Sequence, residues 1–206
     1  KASLQKGIYE SLTLAASSRH NHVLTYLQML ESSTNQLSKS VILENFLRIS
    51  NEKGLERRDA YEDAMKRLKM TKKINPEIAE FLLMDVTGKV VVSSDERTIG
   101  EDKSTDSLFL GGQKTTYLKD VYYSESYKGP LLSVSAPFFD SLTGELLGVL
   151  AARVKLDSLN AILTERTGLG RTGEIYIVNR YGFMITPSLF IKDVVLKQKV
   201  DTENIR

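Results

Sequence analysis

The sequence predicts an α+β fold, in which a long N-terminal helix precedes two related modules with antiparallel sheets. The first observation is that residues 1–36 contain no proline and read as one helix. The second is a series of apolar runs in residues 81–154, joined by turns rich in Asp and Gly, which is typical of β-hairpins. The third is that residues 175–188 repeat the pattern of residues 81–94. Because only residues 189–206 follow, we expect the second module to be incomplete in this sequence.

The N-terminal helix carries a stripe of apolar side chains at spacings of three, four and seven residues. These are Ile8, Leu12, Ala15, Ala16, Val23, Leu27 and Leu30. A helix of this length spans ~45 Å, more than most globular helices need. Three roles stay open for it: a coiled-coil-like dimer contact, a spine along the molecule, or the cover of one sheet face.

Two further helices are expected before the sheet begins. Ser38 or Ser40 can cap a short helix that ends at residues 51–54. A third helix is expected over residues 55–72, because Pro76 cannot extend it.

About five antiparallel strands are expected between residues 79 and 154. Hairpins are predicted at 81–95 and 131–154, with a further strand at 115–126 between them. A short helix capped by Thr105 or Asp106 is expected in the intervening loop.

The internal repeat has a constant spacing of 94 residues, so that Asp85 aligns with Asn179 and Gly88 with Gly182. This period is too long for a solenoid and indicates two copies of one small domain in tandem. A helix at residues 156–166 links the copies.

Composition bounds the function. The chain has 206 residues, 41% hydrophobic and 26% charged, with a net charge of +2. No basic patch interleaved with aromatic residues is present, so we expect no nucleic-acid partner. The absence of cysteine excludes thiol catalysis, disulfides and cysteine-type zinc sites. No run of 18 apolar residues occurs, so no membrane span is expected within the chain.

No motif for catalysis, metal or cofactor binding stands out. The GLGRTG sequence at 168–173 lacks the Lys-Ser/Thr pair of a phosphate loop, so we interpret its glycines as turn residues. His20 and His22 do not share a helix face, so a metal site is not expected. We therefore predict no catalytic residues, no metal and no cofactor. A catalytic or hydrolase domain is the weaker alternative.

A binding site is predicted on the sheet of the first module. Alternation along residues 131–137 puts apolar side chains on one face of the sheet and two serines on the other. The apolar face is expected to pack on the long helix. The serine face is expected to lie under a loop that covers a cavity. Arg153 follows an apolar run and must find a partner or reach water, with Asp120, Asp140 or Glu125 as possible ion-pair partners. The candidate ligand-binding residues are Tyr117, Tyr122, Tyr123, Ser133, Ser135 and Arg153. Alternation places Tyr122 opposite to Tyr117 and Tyr123, so not all can face one cavity.

The order of these segments resembles a known family. The chain is similar to the double-Cache sensor of membrane histidine kinases and chemoreceptors. The similarity lies in the long helix and, in order, the MDVTGKVVVSS hairpin, the YLKDVYYS strand, the PLLSVSAPFFDSLTGELLGVLAARV hairpin and the TGLGRTGEIYIVNRYGFMITPS repeat. The resemblance implies two PAS-like modules, one distal and one proximal to the membrane. The implied domains are a helical lead-in at 1–77, a distal module at 78–155, a linker helix at 156–167 and a partial proximal module at 168–206.

The resemblance also implies function. It indicates the extracellular or periplasmic sensing part of a receptor, most simply a histidine kinase, held by transmembrane helices outside this fragment and paired as a homodimer. A chemoreceptor domain and a ligand-less dimerisation module are the alternatives. The family's amino-acid-binding members carry an Arg-x-Trp-Tyr cluster and an Asp after the GVL run. This chain has no tryptophan, and Arg153 stands at the Asp position, which favours a carboxylate ligand over an amine.

Overall fold

The computed structural model describes residues 2–49, 55–170 and 172–202. Five α-helices, a short 3-10 helix at Glu96–Thr98 and five strands are assigned within these ranges. The helices are α1 Ala2–Leu37, α2 Val41–Arg48, α3 Leu55–Ile74, α4 Ser107–Gly112 and α5 Asp157–Thr164. The strands are β1 Ile78–Asp85, β2 Val90–Ser93, β3 Tyr117–Ser124, β4 Gly129–Phe139 and β5 Leu146–Lys155.

The helices agree closely with the periodicity of the sequence. The predicted N-terminal helix is confirmed as one uninterrupted element, α1. Ser40 occupies the N-cap position of α2 but makes no side-chain capping hydrogen bond. The segment 51–54, predicted to end α2, lies outside the described residues. Asp106 is confirmed as the cap of α4, because its side chain accepts a hydrogen bond from the backbone N–H of Leu108.

The five strands form one sheet in the order β2-β1-β5-β4-β3. Strand β1 is antiparallel to β2 and β5, and β4 is antiparallel to β5. The register aligns Glu80, Arg153 and Ser133 across three strands. Residues directly opposite one another lie on the same face of a sheet, so these three side chains share one face.

That face continues into an apolar cluster under α4. Leu82, Met84, Val149 and Ala151 from β1 and β5 are buried together with Leu108 and Phe109 of α4. Helix α2 packs against β5, and α3 packs against β1 and β2. Helix α4 therefore covers the face that carries Arg153, the face on which a loop cover was predicted.

The second hairpin reproduces the turn of the first. The bridge between Met84 and Val90 has its counterpart 94 residues later, between Val178 and Met184. In both turns the glycine has positive φ, +89° at Gly88 and +81° at Gly182, which favours glycine over residues with a Cβ. The arms of the second hairpin do not form regular strands, in contrast to the prediction. Among the described residues they make isolated bridges only.

The side-chain hydrogen bonds of the two turns also match. The Oδ1 atom of Asp85 accepts from the backbone N–H groups of Thr87 and Lys89. The Oδ1 atom of Asn179 accepts from the backbone N–H groups of Tyr181 and Phe183, again 94 residues later. This local equivalence supports the interpretation of the repeat as a duplication.

The chain divides into two compact units. One contains residues 1–28, 121–130 and 156–206, and the other contains residues 29–120 and 131–155. The finer boundaries at residues 77, 155 and 167 stay predictions. None of the described helices is both long enough and apolar enough to cross a membrane.

Candidate functional site

Arg153 forms a buried ion pair with Glu80. Its Nη1 atom lies 2.9 Å from Oε2 of Glu80, and the two side chains are 8% and 7% exposed. The ion pair was expected, but the predicted partners were wrong for two reasons. The sheet register places Glu80 opposite Arg153, and Asp140 and Glu125 pair elsewhere. Their partners are Arg48 and Lys128.

The carboxylate of Glu80 is held from a second side. Its Oε1 atom accepts hydrogen bonds from the hydroxyls of Ser93, at 2.8 Å, and of Thr98. Both hydroxyl residues are buried. A buried charge is tolerated only when it is paired and hydrogen-bonded, and Glu80 satisfies both conditions. The position of the Arg153 guanidinium is therefore fixed by a network that spans β1, β2 and β5.

The Nε donor of Arg153 is left without a hydrogen-bond acceptor in the part of the chain that the structure describes. The Nε atom is buried and has no hydrogen-bond partner among the described residues. Ser133 lies directly opposite Arg153 on β4 and is fully buried. Glu80 thus engages one end of the guanidinium and leaves a second donor without an acceptor, although such donors are costly when buried.

Ser135 holds the cover over the sheet. Its Oγ donates a hydrogen bond of 2.7 Å to the carbonyl oxygen of Leu108 in α4. The cover is close, because a Cβ at Gly112 would lie 2.6 Å from Oγ of Ser135 and from Cγ1 of Val149. Ser135 was predicted as a ligand contact, and the structure shows a hydroxyl that anchors α4.

Helix α4 is also tied to β3 through its N-cap. Lys119 Nζ lies 2.7 Å from Oδ1 of Asp106, the N-cap residue. Burial raises the pKa of Asp106, but the hydrogen bonds from Lys119 and the N–H of Leu108 outweigh it and lower the pKa overall. Gly111 lies against the ring of Tyr117, since a Cβ there would be 2.4 Å from the ring carbon Cγ. Tyr117 therefore lies on the α4 side of β3.

The three tyrosines do not share one environment. Alternation along β3 directs Tyr122 away from the side of Tyr117. Tyr123 is on the side of Tyr117 but is 53% exposed. Tyr122 and Tyr123 also belong to the compact unit that contains residues 121–130. The structure thus places Tyr117, Ser133, Ser135 and Arg153 on the α4 side of the sheet in one unit, and it does not add Tyr122 or Tyr123 to them.

Glu80 is the residue of the candidate site that sequence reasoning missed. It lies at even spacing from Leu82 and Met84, so it shares their buried face in β1. A charged residue at that position is the same signal that drew attention to Arg153. As for metals, the described part of the chain holds no group of three or more His, Cys, Asp or Glu suited to an ion.

The family model described as Cache domain matches residues 1–205. A comparison with curated proteins gives no match. Similar folds are found among solved structures. The sensor domain of the histidine kinase DctB of V. cholerae has a TM-score of 0.69 and 15% identity, over 89% of this chain and 67% of that chain.

Two chemoreceptor domains are also similar. The ligand-binding domain of Campylobacter jejuni Tlp3, in complex with 4-methylisoleucine, has a TM-score of 0.63 and 13% identity, over 90% of this chain and 69% of that chain. The ligand-binding domain of the Pseudomonas aeruginosa amino acid chemoreceptor PctC, in complex with GABA, has a TM-score of 0.60 and 18% identity, over 95% of this chain and 80% of that chain. The match of the family model over residues 1–205, on a fold with this long helix and antiparallel sheet, shows that the chain belongs to the Cache domain family.

Proposed function

We propose that this chain is the extracellular, ligand-sensing part of a transmembrane receptor. Membership of the Cache family supports a sensing rather than a catalytic role. The solved structures named above are the sensor domain of a histidine kinase and the ligand-binding domains of two chemoreceptors. A sensor histidine kinase is the first interpretation and a chemoreceptor the second. In both, transmembrane helices beyond residues 1–206 anchor the domain and carry the signal.

We place the ligand in the module of residues 78–155, between the sheet and the elements around α4. The observation that carries this proposal is the incomplete hydrogen bonding of the buried Arg153 side chain. Its guanidinium is buried and held by Glu80, and its Nε still has no acceptor among the described residues. Ser133 adjoins it, and Tyr117 contributes a phenol on the same side of the sheet.

The ligand class follows from these donors. A carboxylate offers two acceptor oxygens, and a guanidinium binds such a group through paired hydrogen bonds. Glu80 already neutralises Arg153, so selectivity comes from the fixed donor geometry rather than from net charge. We therefore propose a small carboxylate-bearing ligand, with Tyr117, Ser133 and Arg153 around it and Ser135 anchoring the cover. Tyr122 and Tyr123 remain predicted contacts.

Thermal-shift screening with small organic acids and amino acids tests the sensing role. A ligand at about 100 times its Kd stabilises the folded state by about 2.7 kcal/mol. For a chain of this size that corresponds to a Tm increase of about 5–10 °C. The amide of an active acid, which has no carboxylate, is the matched control and leaves Tm unchanged. If no organic acid and no amino acid in the screen raises Tm, the ligand-less dimerisation module is the better interpretation.

Homodimerisation is a separate part of the proposal. The N-terminal half of α1 exposes large apolar side chains on one side: Ile8, Tyr9 and Leu12 are 41–75% exposed. Two such helices bury these residues when they pair across a two-fold axis. Sedimentation analysis of the wild type and of Leu12→Glu tests this, because a concentration-dependent dimer is expected for the wild type alone. Identical sedimentation of both proteins would remove α1 from the interface.

A further inference from the structure

A recess in the unit of residues 1–28, 121–130 and 156–206 has the features of a ligand site of its own. Its volume is about 340 Å³, within the range of small-molecule pockets. It lies between α1, α5 and the first arm of the second hairpin. Apolar side chains form most of its wall: Ala16, Val23, Leu163, Ile175, Ile177 and Val178.

Arg19 is the buried polar residue of this recess, whose lining also includes the exposed residues His20 and Tyr176. It lines the recess and is only 4% exposed. Its Nη2 atom lies 3.3 Å from Oε2 of Glu165 and 3.4 Å from the carbonyl oxygens of Glu165 and Thr167. These contacts are long for charge-assisted hydrogen bonds, which are typically about 2.7–2.9 Å.

The guanidinium of Arg19 is incompletely paired. Its Nε atom is buried and finds no hydrogen-bond partner in residues 2–49, 55–170 and 172–202. Glu165, which supplies the opposing charge, has a side chain that is 51% exposed. An ion pair with a half-exposed partner is weak, because water and salt screen it. Arg19 therefore holds a buried positive charge that a better-placed anion can bind.

We propose that this recess binds a small carboxylate with a branched apolar group. The apolar group occupies the space between Val23, Leu163 and Ile175, and the carboxylate binds Arg19. The ligand takes the place of the Glu165 carboxylate, which moves into solvent. Glu165 directly follows α5, so occupancy of the recess changes the contacts at the C-terminal end of that helix.

This site is distinct from the Arg153 site, which lies in the other compact unit. Its test uses 3-methylbutanoate as the probe and 3-methylbutanamide as the uncharged control of the same shape. Methyl NMR spectra of the whole chain are recorded during each titration. The acid is expected to shift the methyl signals of Val23, Leu163 and Ile175 at millimolar concentrations and to leave that of Leu150, in the sheet core, unchanged. No shift of the recess methyls, or equal shifts with the amide, would overturn the proposal.

Four variants locate the contacts. Arg19→Gln is expected to weaken binding at least about 30-fold, the effect of truncating one partner of a buried charge pair. Ala16→Phe fills the recess from an exposed position on α1 and abolishes binding without removing a buried group. Glu165→Gln removes the competing carboxylate and is expected to raise affinity about two- to fivefold. Glu96→Gln changes an exposed residue in the other compact unit, so it is the control and leaves the affinity of the recess unchanged.

Three results would contradict the proposal. Equal affinity of the wild type and a folded Arg19→Gln would remove Arg19 from the site. Retained binding in Ala16→Phe would place the probe elsewhere. An unchanged or lower affinity of Glu165→Gln would overturn the displacement of Glu165.

Discussion

Glu80 and Arg153 face each other across β1 and β5 and form a buried ion pair, 2.9 Å between Oε2 and Nη1. Ser93 and Thr98 donate to the other oxygen of the same carboxylate. The two residues are 73 positions apart in the sequence, and their pair joins β1 to β5. It fixes a guanidinium on the covered face of the sheet, where we place the ligand.

Removal of one member of this pair is expected to cost about 3–5 kcal/mol of unfolding free energy, because the other charge is left buried and unpaired. Glu80→Gln keeps the shape of the side chain and removes only the charge. Urea denaturation measures the loss. The double variant Glu80→Gln/Arg153→Met is expected to be more stable than Glu80→Gln alone, since no charge is then buried.

Lys69 and Glu96 provide the matched control. They form an ion pair whose side chains are 47% and 68% exposed. Glu96→Gln is therefore expected to change stability by no more than about 1 kcal/mol. Equal effects of Glu80→Gln and Glu96→Gln would show that the buried pair does not stabilise the sheet.

The two repeated turns predict parallel effects of substitution. Asp85→Asn and Asn179→Asp keep the Oδ1 acceptor of each turn and are expected to change stability by less than about 0.5 kcal/mol. Asp85→Ala and Asn179→Ala remove the acceptor and are expected to cost about 1–2 kcal/mol. Thermal unfolding measures the stability, and hydrogen exchange of the Lys89 and Phe183 amides reports each turn separately. Faster exchange at Lys89 but not at Phe183 in the alanine variants would contradict their equivalence.

Acid is expected to weaken the contact between α2 and the β4–β5 turn. The Oε1 atom of Glu44 accepts hydrogen bonds of 2.7 and 2.8 Å from the hydroxyl and N–H of Ser141, and one of 2.6 Å from Arg48. The Ser141 hydroxyl, with the other two donors, lowers the pKa of Glu44 below its usual value of 4.5. The unfolded chain therefore binds a proton at a higher pH than the folded chain does. This contribution to stability is complete above about pH 4.5 and is lost as the pH falls through the folded pKa.

The measurement is urea denaturation at several pH values between about 3 and 7, for the wild type and for Glu44→Gln. The wild type is expected to lose stability more steeply than the variant below about pH 4.5, because only the wild type has this carboxylate to protonate. Identical pH dependence of the two proteins would show that Glu44 makes no such contribution.

The parts of the fold that could be predicted are those with a clear local pattern of apolar residues in the sequence. The apolar stripe of α1, the alternation in β4 and the apolar run of β5 are local patterns, and the elements they predicted are observed. The arms of the second hairpin resemble strands in sequence but make only isolated bridges among the described residues. A regular strand requires a partner along its length, and sequence alone does not show whether one is present.

The candidate site was predictable only in part. Arg153 was identified because a charge in an apolar strand needs a partner. The choice of Glu80 depends on the register of β1 against β5, which no local pattern encodes. The contact of Ser135 with Leu108 likewise depends on how α4 lies over the sheet, so sequence alone did not show that this hydroxyl anchors the cover.

Calorimetric titration of Arg153 variants tests the proposal that this chain senses a small carboxylate through the sheet of residues 78–155. The ligand is the carboxylic acid that raises Tm most in the screen. Arg153→Ala is expected to lose about 2–5 kcal/mol of binding free energy, and Arg153→Lys to recover part of it, because an ammonium lacks the planar fork. The double variant Glu80→Gln/Arg153→Met, which buries no unpaired charge, serves as the folded reference and is also expected to lose binding. Equal affinity of the wild type and this double variant would contradict the claim and leave Arg153 as the structural partner of Glu80.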